Sequence, residues 1–92
     1  MDLKALQGKI RTEYSERLSA LSLDYGVARL LVQSGQLGQA VLNKGDVEKE
    51  LADVMFLLAS LAHRCNVDLE SAVQKHIAKR SSAEIVARID AR

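Results

Sequence analysis

Residues 46–64, DVEKELADVMFLLASLAHR, constrain the fold more than any other stretch of the chain. Val47, Leu51, Val54, Met55, Leu58, Leu61, Ala62 and Cys65 recur at helical intervals and make one apolar stripe, so an amphipathic helix is expected. The same stretch carries Glu50 and Asp53 in an ExxD spacing. At ~100° per residue, Glu50 falls in line with Leu57 and Leu61, on or near the stripe. Asp53 follows at i+3, so the two carboxylates can converge on one ligand. A carboxylate turned toward a packed interior is costly unless a cation or hydrogen-bond donors compensate it.

The rest of the chain reads as helix-forming material in one small domain, residues 1–92. Hydrophobic residues make up 48%, aromatics only 3%, and there is no Pro or Trp. Such a short chain has a limited core and gains from self-association. With 13 basic and 12 acidic residues the net charge is +1, which gives no electrostatic case for nucleic-acid binding. No apolar run is long enough to span a bilayer and no leader pattern is visible, so a soluble cytoplasmic protein without a membrane partner is expected. Cys65, on the stripe, reads as a buried inert thiol.

Cap and stop signals divide the chain. Asp2 can cap a first helix in which Leu3, Leu6, Ile10, Tyr14, Leu18 and Leu21 follow at three- and four-residue steps, with Arg11, Glu13, Glu16 and Arg17 on the wet side. Residues 22–24 break it. A second helix runs through Val27, Leu30, Leu31, Leu37 and Val41. Its glycines, Gly26, Gly35 and Gly38, each cost up to ~1 kcal/mol relative to Ala, which suggests close approach of a neighbouring helix. Gln33, Gln36 and Gln39 recur along it at every third residue. Residues 43–45 stop it, Asn43 and Gly45 both tolerating the left-handed conformation. Asp46 caps the ExxD helix and Asp68 the next, where Leu69, Val73, His76, Ile77 and Arg80 share a face. Ser81 and Glu84 have capping-box spacing for a short last helix through Ile85, Val86 and Ile89. Four main helices on short turns, plus this C-terminal one, predict an all-α antiparallel four-helix-type bundle completed by homo-oligomerisation.

Two readings of Glu50 and Asp53 stand side by side. Hard cations such as Mg²⁺ take one or two carboxylates together with phosphates and water. Equally, ExxD pairs occur on any charged helix as salt bridges or solvated faces, and Arg29, Lys49, Lys79 and Arg80 are the bases that could pair with Glu50. His63 is expected to be exposed, and His76 partly buried and hydrogen-bonded. Neither forms a metal or catalytic spacing.

Three runs, LLVQSGQLGQAVL, KELADVMFLLASLAHR and NVDLESAVQKHIAKR, resemble in order and spacing the MazG-like all-α nucleoside triphosphate pyrophosphohydrolases. The resemblance covers about residues 28 to 80. It implies the MazG-like fold, an Mg²⁺ site written EExxE…ExxD between facing helices, and hydrolysis of a nucleoside triphosphate to monophosphate and pyrophosphate. The second half of that site falls on Glu50 and Asp53. The three acids of the first half fall on Val32, Gln33 and Gln36, and an acid often found one turn later falls on Gln39. Gln33 and Gln36 would line the cleft as neutral replacements, and Lys79 and Arg80 loosely meet the family's phosphate-binding positions. Each lost carboxylate removes a charge-assisted contact, so metal binding is weakened and activity is weak or lost. Amides in place of glutamates also relieve repulsion between facing acids. The alternative is a non-catalytic helical dimer, or dimer of dimers, acting as a binding or assembly module.

Overall fold

A computed structural model describes residues 2–91, which are helical almost throughout and contain no strand. α1 (Leu3–Lys9) passes through a π-helical stretch (Ile10–Tyr14) into α2 (Ser15–Ser19). α3 (Leu23–Leu42), α4 (Val47–Arg64), α5 (Leu69–Ala78) and α6 (Ser82–Asp90) follow. The expected caps are in place. Asp2, Ser22, Asp46, Asp68 and Ser81 each accept a hydrogen bond from the backbone N–H three residues on, at 2.7–3.2 Å.

The first helix is one amphipathic unit, as its spacing predicts, but it is not uniform. Ile10, Tyr14 and Leu18 are four residues apart and would drift round a regular α-helix by ~40° at each step. The wider π turn at Ile10–Tyr14 takes up part of that drift. Ile10 is fully buried, and the Tyr14 ring meets Phe56 of α4 edge to face with centroids 5.8 Å apart.

α3 and α4 form an antiparallel hairpin, the largest packed pair of the fold. Near its open end Gly26 faces Leu61: a Cβ at Gly26 would stand 3.1 Å from the Leu61 Cδ2. The turn departs from expectation in one respect. Its left-handed residue is Lys44 (φ 56°), and neither Asn43 nor Gly45 has positive φ. Gly45 is needed because its backbone lies against Ala40, where a Cβ would sit 3.2 Å from the Ala40 Cα, and its N–H donates to the Ala40 carbonyl at 2.8 Å.

α1 and the π stretch cover another side of α4, and α5 packs on α1. The Gln7 amide joins these layers. Its Nε2 donates to the Val67 carbonyl at 2.8 Å, while its Oε1 accepts from the Leu69 N–H at 2.7 Å. α6 meets the end of α5 around a hollow lined by His76, Ile77, Arg80, Ile85, Arg88 and Ile89.

The apolar stripe of α4 is only half covered. The buried residues of α4, Ala59 and Ser60, lie off the stripe; on it Val47, Val54, Leu61 and Ala62 are half-buried, and Leu51, Met55 and Leu58 are exposed. Cys65 is exposed, contrary to expectation, because it caps the end of a stripe that is itself left largely uncovered at Leu51, Met55 and Leu58. His63 is half-buried rather than exposed. His76 is exposed, since α5 is covered mainly in its first turn; its ring nitrogens lie 3.1 and 3.2 Å from the Arg80 Nη1.

The chain is open for its size. A compact monomer of this mass exposes ~5,300 Å², whereas this one exposes 6983 Å². Its radius of gyration is 15.2 Å, against ~12 Å for a compact domain of this length. Among the described residues, no helix is long and apolar enough to cross a membrane.

Candidate functional site: the cleft between α3 and α4

The two carboxylates lie on the α3-facing side of α4, one turn apart. The Lys49 ammonium sits on both, with its Nζ 3.2 Å from the Asp53 Oδ2 and 3.5 Å from the Glu50 Oε1. Hydrogen bonding to Asp53 and its charge, with a further contribution from Glu50, hold the ammonium above its ordinary value of 10.5. One of the pair's two negative charges is thus offset from within its own helix. Glu50 is the more enclosed of the two, with a side chain only 15% exposed against 42% for Asp53. Its second oxygen, Oε2, is buried and accepts no hydrogen bond.

Across the cleft, α3 presents Gln33. It is 9% exposed, and its Oε1 also accepts no hydrogen bond. Gln36 is exposed and does not line the cleft, because at ~100° per residue it lies 60° round the helix from Gln33. No hydrogen bond joins the three glutamines to one another. Gln39 instead accepts from the Asn43 Nδ2 at 2.9 Å. Val32 is exposed on the far side of α3.

The cleft continues from Asp53 and Gln33 into a cavity of about 400 Å³ between the α2–α3 turn and α4. Leu18, Leu21, Phe56, Leu57 and Leu61 give it an apolar wall, and Tyr25, Arg29, Ser60 and Arg64 its polar groups. Arg64 is committed to the fold. Its Nη2 donates to the Leu21 carbonyl at 2.6 Å and its Nη1 to the Ser22 carbonyl at 3.2 Å, filling acceptors where the chain turns into α3. Ser60 donates to the Phe56 carbonyl. Arg29 has no ion-pair partner among the described residues. Tyr25, Arg29 and Arg64 carry no motif; only the antiparallel register of α3 and α4 brings them to Asp53.

The phosphate-binding candidates lie elsewhere. Arg80 turns back on its own helix, donating to the His76 carbonyl at 3.3 Å, and lines the hollow between α5 and α6. Lys79 is the exposed cap residue of α5. The structure does not gather either of them around the α3–α4 cleft.

Any Mg²⁺ at this point would draw two carboxylates from the protein and its remaining oxygens from water or a phosphate. Hard cations require several oxygen ligands. Here two carboxylates share a lysine, and the described residues hold no group of three or more His, Cys, Asp or Glu side chains able to bind a metal. No family model, curated protein or solved structure matches the chain.

Proposed function

We propose that this chain is a MazG-like helical module that retains the bundle of the pyrophosphohydrolases without their metal chemistry, and that it works as a self-associating binding or assembly unit. The observation that carries this reading is Lys49. An ammonium bridging Glu50 and Asp53 takes the place of the divalent cation that would otherwise justify two adjacent carboxylates at a helix–helix cleft. Gln33 in the opposite wall supplies size without charge. The proposed partner is a second copy of the chain, consistent with about 1,700 Å² of accessible surface beyond that of a compact monomer.

A second reading draws on one observation, the buried Glu50 Oε2 that accepts no hydrogen bond. A buried carboxylate oxygen without a donor favours a ligand at this point, and with it residual Mg²⁺-dependent conversion of a nucleoside triphosphate to monophosphate and pyrophosphate.

Titration calorimetry with Mg²⁺ or Mn²⁺, with and without a non-hydrolysable nucleoside triphosphate, separates the two when run beside a pyrophosphate-release assay. The assembly reading expects no heat and no release from folded, associated protein. Metal-dependent nucleotide binding with pyrophosphate release would overturn it in favour of the enzyme.

A further inference from the structure

The outer face of α3 is built like an interface. Gln33 and Ala40 point toward α4 and are buried. At ~100° per residue, Leu31, Gly35, Gly38 and Leu42 cluster within about 60° of one another on the opposite side. Leu31 is 70% exposed and Leu42 82%. Gly35 and Gly38 have nothing within 4 Å of where a Cβ would stand. Two glycines inside a helix weaken it, and within this chain no neighbour uses the space they leave. Residues 30–43 also contain no charged side chain, in a chain that is 27% charged. A helix apolar on both sides is one that is covered on both sides.

The order of residues on this face indicates what covers it. About the midpoint between Gln36 and Leu37 the sequence LVQSGQLGQAVL is symmetric at three positions: Leu31 with Leu42, Val32 with Val41, Gly35 with Gly38. Any identical pair satisfies a twofold; what this order adds is that an antiparallel crossing centred there sets leucine against leucine and glycine against glycine. We propose that α3 of one protomer crosses α3 of a second copy antiparallel at this midpoint. The glycines let the backbones approach, Leu31 of each protomer packs on Leu42 of the other, and Val32 and Val41 form the shoulders. The excess accessible surface of about 1,700 Å² is a whole-chain figure to which the α3 face contributes with exposed apolar residues of α4, α5 and α6, and it is of the size one protomer buries in an obligate homodimer. This proposal rests on the self-association reading above and fixes its geometry.

Sedimentation velocity of the full chain tests it, with Gly35→Ala, Gly38→Ala and Leu31→Glu alongside the parent. All three positions are open in the single chain, so each variant should still fold. The parent is expected to be a dimer. Each alanine should loosen it about tenfold or more, and Leu31→Glu should leave monomer. In a Cys65→Ser background, Leu31→Cys mixed with Leu42→Cys should oxidise to a mixed disulfide. A monomeric parent would overturn both this proposal and self-association. A dimer unmoved by all three substitutions, with melting temperature raised by the alanines, would overturn the α3 crossing alone. Cross-linking of Leu31→Cys to itself in preference to the mixed pair would overturn the antiparallel geometry.

Discussion

The Lys49 ammonium stands 3.2 Å from the Asp53 carboxylate, one turn on in the same helix, and 3.5 Å from Glu50 behind it. Lysine and carboxylate at i and i+4 are neighbours on any helix surface. What distinguishes this pair is that a second carboxylate, largely enclosed, shares the same cation. The arrangement gives the α3–α4 cleft its counter-charge without any ligand.

Replacing that cation should uncover the carboxylates. Lys49→Met keeps the helix and removes the charge, leaving Glu50 and Asp53 facing one another's repulsion. The variant is expected to melt lower than the parent in chelator and to regain part of the loss in Mg²⁺ or Ca²⁺, while the parent is unmoved by either ion. Thermal melts with and without the ions measure this. Equal metal responses in the two proteins would show that Lys49 does not stand in for a cation.

The same pair sets an alkaline limit. Folding holds the Lys49 ammonium above its ordinary 10.5, so the folded state binds this proton more tightly than the unfolded chain. The stabilisation is complete below that ordinary value and is lost as pH rises through the higher folded one. The difference in melting temperature between parent and Lys49→Met should stay level from pH 7 to about 10 and narrow above it. A difference that stayed level above pH 10 would show that folding does not hold this proton.

The turn between α3 and α4 offers two opposite substitutions. Gly45→Ala drives a Cβ into the Ala40 backbone at 3.2 Å, and should destabilise by ~1–3 kcal/mol. Lys44→Gly removes a side chain from a left-handed residue (φ 56°) and should stabilise by ~0.5–1 kcal/mol. Urea denaturation reads both.

The Gln7 bracket offers a fourth test. Gln7→Ala leaves the Val67 carbonyl and the Leu69 N–H without their side-chain partner, for an expected loss of ~0.5–1.5 kcal/mol, since both bonds are at least partly open to water. Gln7→Glu retains only the acceptor. It should keep the bond from Leu69 and lose the one to Val67, falling between parent and alanine.

The helices were legible because their signals are local. Asp46 and Asp68 stand just before apolar periodicities, and each caps the helix expected of it. Burial was less legible, because it depends on which helix lies against which. The spacing of Leu51, Met55 and Leu58 marks an apolar stripe, but whether that stripe is covered is settled by neighbours distant in sequence. The positive-φ position shows the same limit: Asn43 and Gly45 carry the usual residue types, yet the geometry of the turn places it on Lys44. In the cleft, Glu50 and Asp53 could be found from their spacing, while Gln33 came only from the family resemblance, which named Gln36 beside it. Arg29, Tyr25 and Arg64 could not, since nothing near them in the chain marks a cavity.

The Gln7 bracket also bears on the order in which the molecule assembles. The α3–α4 hairpin closes through a short turn, so its contacts come at small entropic expense. Gln7 reaches Val67 and Leu69 across about sixty residues, a closure that few other contacts reward until α4 and α5 are present. The N-terminal helix therefore docks late. On a ribosome that sequence of events is enforced, because α1 emerges before the backbone at Val67 and Leu69 that anchors it.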